Sequence, residues 1–92
     1  MRTETGQLAD TSVATLFHGS DSPKTIHELS FYNSGSVICI VRTYWNGVED
    51  AYVKLGANER SVVYEGLTVG STDSIRAQAD LPATINYKVN VS

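Results

Sequence analysis

The stretch of sequence that decides the fold is VICIVRTYWNGVEDAYVKL, residues 37–55. Asn46-Gly47 lies at its centre, and this pair tolerates the positive φ that both central residues of a type I′ turn require. The apolar, aromatic and β-branched residues on either side favour strands. The stretch therefore predicts a two-stranded hairpin that turns at Asn46-Gly47.

A two-residue turn also predicts which residues oppose each other across the hairpin, starting with residue 45 opposite residue 48. In that register one face is aliphatic and is expected to close the core; it carries Ile38, Ile40, Val53 and Leu55. The other face carries Val41, Trp45 and Tyr52, which such a core does not need. Because a contiguous apolar patch usually marks an interface, we predict that Val41, Trp45 and Tyr52 contact a partner.

Outside the hairpin, short apolar segments alternate with turn-forming residues at regular spacing, which is typical of a sandwich or barrel. Strands are predicted over 12–17, 25–33, 60–65, 75–79 and 85–91. Ile26 and Leu29 differ in parity, so a β-bulge is expected near His27-Glu28. The predicted fold is an antiparallel all-β sandwich of about seven strands over residues 12–92, either Ig-like or jelly-roll-like. Its predicted core comprises Phe17, Ile26, Leu29, Phe31, Ile38, Ile40, Val53, Leu55, Ile75, Ile85, Tyr87 and Val89.

Residues 1–11 are polar and show no hydrophobic period. We expect them to form an extended N-terminal arm that is mobile in the free protein. Such an arm could lie along a neighbouring chain as an added strand, with Leu8 as its anchor in a shallow pocket. Leu8 therefore joins the predicted partner-interface residues.

The composition describes one small domain of 92 residues with a net charge of −3. Its seven Lys and Arg residues are scattered singly, which argues against nucleic-acid binding. No apolar run approaches the roughly 20 residues of a membrane span, so no membrane partner is expected. The N-terminus has no apolar signal region, which predicts folding in a cytoplasm.

Candidate metal ligands are few. His18 and His27 flank a loop and could approach each other, with Asp21 or Glu28 as a third ligand. A zinc site needs three or four converging ligands supported by further hydrogen bonds, so we expect neither a metal ion nor another cofactor.

Candidate catalytic groups are also few. Cys39 is the single cysteine, so no disulfide can form within the chain. Its apolar surroundings disfavour the reactive thiolate. Glu49 and Asp50 are adjacent in a strand and point to opposite faces, unlike the paired carboxylates of glycosidases. The sequence therefore predicts a protein that is not an enzyme.

A family resemblance covers residues 13–91. The features that carry it are ATLF (14–17), TIHELSFYNSGS (25–36), YVKLGANERSVVYEGLTV (52–69), TDSIRAQAD (72–80) and a closing alternating strand. In their order these features resemble small virion structural proteins of tailed bacteriophages. Trp45 and the N-terminal arm depart from the resemblance.

The resemblance implies a β-sandwich subunit of the virion, assembled in the host cytoplasm. We expect a capsid decoration or accessory subunit that contacts major capsid or tail proteins. It would be a homo-oligomer, with a trimer as one option. A tail or head–tail junction protein is the alternative within this class. A glycan-binding module that stacks sugars on Trp45 and nearby tyrosines is the alternative from another class.

Overall fold

The computed structural model of the chain describes residues 2–18 and 24–92, with backbone alone for His18 and Lys24. These residues form eight strands: β1 Arg2–Gln7, β2 Ala14–His18, β3 Lys24–Asn33, β4 Cys39–Trp45, β5 Val48–Leu55, β6 Arg60–Val69, β7 Ser74–Ala79 and β8 Ile85–Val91. Two antiparallel four-stranded sheets bury one common core between them, so the predicted all-β sandwich is confirmed. Within the described ranges no helix is long and apolar enough to cross a membrane.

The strand order identifies the type of sandwich. One sheet runs β1-β8-β3-β6 and the other runs β2-β7-β4-β5. The first strand thus pairs with the eighth, the second with the seventh, the third with the sixth and the fourth with the fifth. This nested pairing is one long hairpin rolled into two layers, which is the jelly roll. Of the two predicted topologies, the jelly roll is the one that the chain adopts.

The turn at Asn46-Gly47 forms as predicted and closes the innermost strand pair. Asn46 has a φ of 52° and Gly47 a φ of 85°. The Asn46 side chain also holds the β6–β7 loop, because its Nδ2 donates to Asp73 Oδ1 at 2.8 Å and its Oδ1 accepts from the Ser74 amide at 2.8 Å. Asparagine therefore supplies both the backbone conformation and a link to the neighbouring loop.

A β-bulge changes the register of this hairpin. Trp45 opposes Val48 as predicted, but Thr43 opposes Ala51 while Tyr44 opposes Glu49, which leaves Asp50 as the extra residue. Beyond the bulge every pair is displaced by one residue. A one-residue displacement moves each side chain to the opposite face of the strand.

The consequence is that β4 turns a different set of side chains to the core. Leu55 opposes Cys39 rather than Ile38, and the core face of β4 carries Cys39 and Val41, both fully buried. The predicted core positions of Ile38 and Ile40 are wrong: Ile38 is 57% exposed and Ile40 is partly exposed.

The remaining core is close to the expectation. Eight predicted core residues are buried: Phe17, Ile26, Leu29, Phe31, Leu55, Ile75, Ile85 and Val89. Val53 and Tyr87 are partly buried and pack against them. The bulge expected near His27-Glu28 is confirmed, since the pairing of β3 with β8 shifts between Ile26 and Glu28.

The N-terminal residues belong to the sandwich. β1 pairs along its whole length with β8, and Leu8 is buried at 2% exposure. Main-chain hydrogen bonds continue past β1, because the Leu8 amide donates to Ile85 O at 2.9 Å. Gly6 fits under the ring of Tyr87, where a Cβ would lie 2.5 Å from ring atoms. This placement differs from the mobile arm expected over residues 1–11: β8 has an open edge, and β1 fills it within the same chain.

Candidate functional site

Exposed apolar surface is concentrated on the β4–β5 hairpin and on the two residues that precede it. Six large hydrophobic residues are exposed in the described part of the chain, and four of them come from residues 37–52: Val37, Ile38, Val48 and Tyr52. We use the name hairpin face for the side chains of Ile38, Ile40, Arg42, Tyr44 and Tyr52, which lie on or beside the outer surface of these strands.

Neighbouring contacts hold the hairpin face in place. Arg42 opposes Tyr52, and its Cζ lies 5.5 Å from the Tyr52 ring centroid. Arg42 Nε also lies 3.4 Å from Glu49 Oε1. Tyr44 donates from its hydroxyl to Gln78 Oε1 on the next strand at 2.8 Å. Ile40 and Tyr52 are diagonal neighbours, within reach of each other across the two strands. The hairpin face is thus an ordered surface of apolar, aromatic and cationic groups.

The four predicted interface residues do not lie together. Tyr52 belongs to the hairpin face and is 53% exposed. Val41 and Leu8 are buried in the core of the sandwich and offer almost no surface to a partner. Trp45 is partly buried and packs against the core.

Sequence reasoning missed Ile38 and Ile40 as surface residues. The reason is the bulge at Asp50, which displaces the pairing by one residue. Neither glycine nor proline lies beside Asp50 in the sequence, so no residue type there indicates a bulge.

Asp50 takes part in a hydrogen-bonded link between the two sheets. Tyr64 on β6 donates to Asp50 Oδ2 at 2.5 Å, and its hydroxyl lies 3.0 Å from Thr43 Oγ1 on β4. Burial, followed by the hydrogen bond to Asp50, raises the pKa of Tyr64 to about 12. The phenol therefore remains protonated at neutral pH, and this cluster stabilises the fold rather than supplying a base.

We expect this link to make stability fall at high pH. Because the folded-state pKa of Tyr64 lies above its ordinary value of 10, the stabilisation is complete below about pH 10 and is lost as the pH rises through about 12. The loss should be about 1–2 kcal/mol, a value reduced for the solvent that screens this half-buried pair. Urea unfolding across this range measures it.

Tyr64→Phe and Tyr52→Phe are the control variants for this titration. Tyr64→Phe should lose less stability between the two pH values than the parent does, whereas Tyr52→Phe should behave like the parent. Equal losses in the parent and in Tyr64→Phe would show that Tyr64 does not carry the effect.

Cys39 forms a second polar contact, which is partly buried. Its Sγ donates to Asp80 Oδ1 at 3.1 Å, and the Ile40 amide donates to the same oxygen at 2.9 Å. Burial, followed by the bond to Asp80, raises the pKa of Cys39, so the thiol stays protonated and unreactive. Burial also acts to raise the pKa of Asp80, but the bonds from Cys39 and Ile40 outweigh it and the net direction is downward. The pair joins β4 to the end of β7.

The candidate metal ligands are only partly described. Among the described residues, no group of three His, Cys, Asp or Glu side chains could hold a metal ion. His27 Nε2 lies 2.8 Å from Ser92 Oγ. Asp21 and the side chain of His18 lie outside the described residues, so the expectation for the histidine pair stays a prediction.

Comparison with protein-family models, with curated proteins and with solved structures found no match to this chain. The class of protein is therefore described from the fold and the surface alone. The chain is an eight-stranded jelly roll with an ordered apolar and aromatic patch on the outside of its central hairpin.

Proposed function

We propose that this protein is a non-enzymatic structural subunit of a tailed-phage virion, and that it binds neighbouring subunits through the hairpin face. One observation carries the proposal: the inner face of β4 is filled by the core, yet its outer face presents Ile40, Arg42 and Tyr44 beside the exposed ring of Tyr52. Scattered exposed apolar residues are ordinary, but a contiguous patch indicates an interface.

The composition of the hairpin face supports a protein partner. Tyr and Arg are enriched among the residues that dominate binding energy at protein interfaces. Here Tyr52 and Arg42 are already stacked on each other, and Tyr44 is tied to Gln78. Because these side chains lose little freedom on binding, association would cost less entropy.

The jelly-roll topology is compatible with this role, since viral capsid domains include jelly rolls; lectin domains and cupins also do. Fold analogy alone does not assign a function, so the proposal depends on the surface. The partners we propose are further copies of this chain and major capsid proteins, in a capsid decoration or accessory role. Tail or head–tail junction proteins are the alternative partners.

The alternative from another class, a glycan-binding module, would stack sugars on Trp45 and nearby tyrosines. Trp45 is partly buried and packs against the core, and Val41 beside it is fully buried. Tyr52 is exposed, but Trp45 and Tyr44 are only partly exposed, so the centre of this platform is incomplete and we favour a protein partner for this hairpin.

The test is a double variant, Ile38→Ser with Tyr52→Ala. We expect it to fold and melt close to the parent, because both side chains are largely exposed. Its self-association, and its binding to phage particles that lack the protein, should weaken by about ten-fold or more, as the loss of a central aromatic contact does. Sedimentation velocity and co-sedimentation with particles measure the two effects.

Val62→Ser is the matched control, since Val62 is exposed at 41% and lies on β6 of the other sheet. It should leave association unchanged. Parent-like association of the double variant would refute the interface, and so would an equal loss in the control.

A further inference from the structure

A second surface lies on the other sheet. An open concavity of about 500 Å³ crosses the outer face of the sheet β1-β8-β3-β6. We name it the basic concavity. Gly6 and the ring of Tyr87 line it together with six further side chains, all polar: Thr5, Gln7, Tyr32, Arg60, Asn86 and Lys88. The register explains why they meet, because Gln7, Asn86, Tyr32 and Arg60 oppose one another in a single row across all four strands.

The charge of the basic concavity differs from that of the whole chain. The protein carries a net charge of −3, yet Arg60 and Lys88 both line the concavity, and no carboxylate of the described part of the chain does. Within residues 2–18 and 24–92, the ion pairs involve Arg2 and Arg42 instead. Two cations in one concave polar surface attract an anionic group.

Two neighbouring side chains hold the guanidinium of Arg60 in a position from which it can bind an anionic group. Its Cζ lies 5.5 Å from the ring centroid of Tyr32, and its Nη1 donates to the buried Ser30 Oγ at 3.2 Å. Tyr32 is fixed in turn, since its hydroxyl donates to Asn58 Oδ1 at 3.1 Å. A guanidinium has five N–H donors in a rigid fork, so donors remain for a carboxylate or sulfate.

The rest of the lining suits hydroxyl groups. Gln7 Nε2 donates to Ala83 O at 3.3 Å and Asn86 Nδ2 to Ser34 Oγ at 3.1 Å. Each amide group keeps a second N–H and its oxygen for a ligand, and Thr5 offers a hydroxyl. Among residues 2–18 and 24–92, the lining includes no aliphatic side chain, and its apolar surface comes from the rings of Tyr32 and Tyr87. An anion that also carries many hydroxyl groups therefore matches the lining best.

We infer that the basic concavity binds an acidic saccharide. Arg60 and Lys88 bind its carboxylate or sulfate, and Gln7, Asn86 and Thr5 exchange hydrogen bonds with its hydroxyls. This site uses none of the residues of the hairpin face and lies on the opposite sheet. It therefore stands or fails independently of the proposed virion interface.

The experiment is an NMR titration of the ¹⁵N-labelled protein with three probes: a glucuronate-containing oligosaccharide, a neutral oligosaccharide of equal length, and inorganic sulfate. The acidic oligosaccharide should shift the side-chain amide signals of Gln7 and Asn86. It should bind about ten-fold more tightly than either other probe, as expected when charged and neutral hydrogen bonds act together.

Two variants and a control locate the site. Arg60→Gln and Lys88→Gln should each weaken binding of the acidic oligosaccharide by about ten-fold. Arg76→Gln removes an exposed cation from the other sheet and should change nothing. If Arg60→Gln fails to fold because Ser30 and Tyr32 lose their contact, Lys88→Gln decides the question alone.

Three results would overturn the inference. The neutral oligosaccharide could bind as tightly as the acidic one, or sulfate alone could match it and reduce the site to a bare oxyanion site. Unchanged affinity in Lys88→Gln would likewise exclude the basic concavity as the binding site.

Discussion

Val41→Lys is expected not to fold at neutral pH, while Ile40→Lys is expected to fold and to melt near the parent. Val41 is fully buried on the core face of β4, whereas Ile40 lies on its outer face. An unpaired ammonium in the core costs several kcal/mol. That approaches the whole stability of a small domain, about 5–15 kcal/mol. Circular dichroism and thermal melting of the two variants measure the difference.

The two variants are each other's control, since they place the same side chain at adjacent positions of one strand. In Ile40→Lys the new ammonium would have Asp80, which accepts from the amide of residue 40, on one side and Lys54, which opposes residue 40, on the other. The attraction to Asp80 and the repulsion from Lys54 would partly cancel. Without the bulge at Asp50 the outcome would reverse, with Ile40→Lys unfolded and Val41→Lys folded. The pair therefore tests the register of the hairpin directly.

Asn33→Asp is expected to lower the free energy of unfolding by about 3–5 kcal/mol at pH 7. Asn33 is fully buried, and its Nδ2 donates to the carbonyls of Val37 and Leu55, both at 2.9 Å. Its Oδ1 accepts from the Gly35 amide at 2.8 Å. These bonds tie the end of β3 in one sheet to β5 in the other. A carboxylate cannot donate, so it would face two carbonyl oxygens with a negative charge.

The cost of Asn33→Asp should depend on pH. Burial and the facing carbonyls would raise the folded-state pKa of the introduced carboxyl group above its ordinary value of about 3.9. The variant should therefore be closest to the parent at about pH 3 and lose stability as the pH rises. Urea unfolding at the two pH values gives the difference.

Asn90→Asp is the control for this change. Asn90 is partly exposed, and its Oδ1 accepts from Thr3 Oγ1 at 2.7 Å, a role that a carboxylate keeps. The expected change is within about 0.5 kcal/mol. Similar losses in both variants would mean that the Asn33 bonds do not hold the sheets together.

Local chemistry was sufficient to predict much of the fold. The Asn46-Gly47 turn, the strict alternation over Ile85–Val91 and the parity change after Ile26 each have a direct cause in the sequence. In each case the residue types or their spacing fix the backbone geometry without reference to distant parts of the chain.

The parts that could not be predicted depend on distant partners. β1 has no apolar alternation, and its place depends on pairing with β8, about 85 residues away in the chain. β6 was expected to end at Glu65 but continues to Val69 through Gly66, whose φ is 62°. At the site, Tyr52 is exposed and its predicted partner contact stays a prediction. Ile38 and Ile40 were assigned to the core because no residue type in the sequence indicates the bulge at Asp50.

The nested strand pairing imposes an order on folding during translation. β4 and β5 are separated by two residues and can pair as soon as both have left the ribosome. β3 must then wait for β6, β2 for β7 and β1 for β8. Of the eight described strands, β1 is synthesised first and its partner β8 last. Residues 2–7 therefore remain without their sheet until β8 has left the ribosome, and only then can the sandwich close.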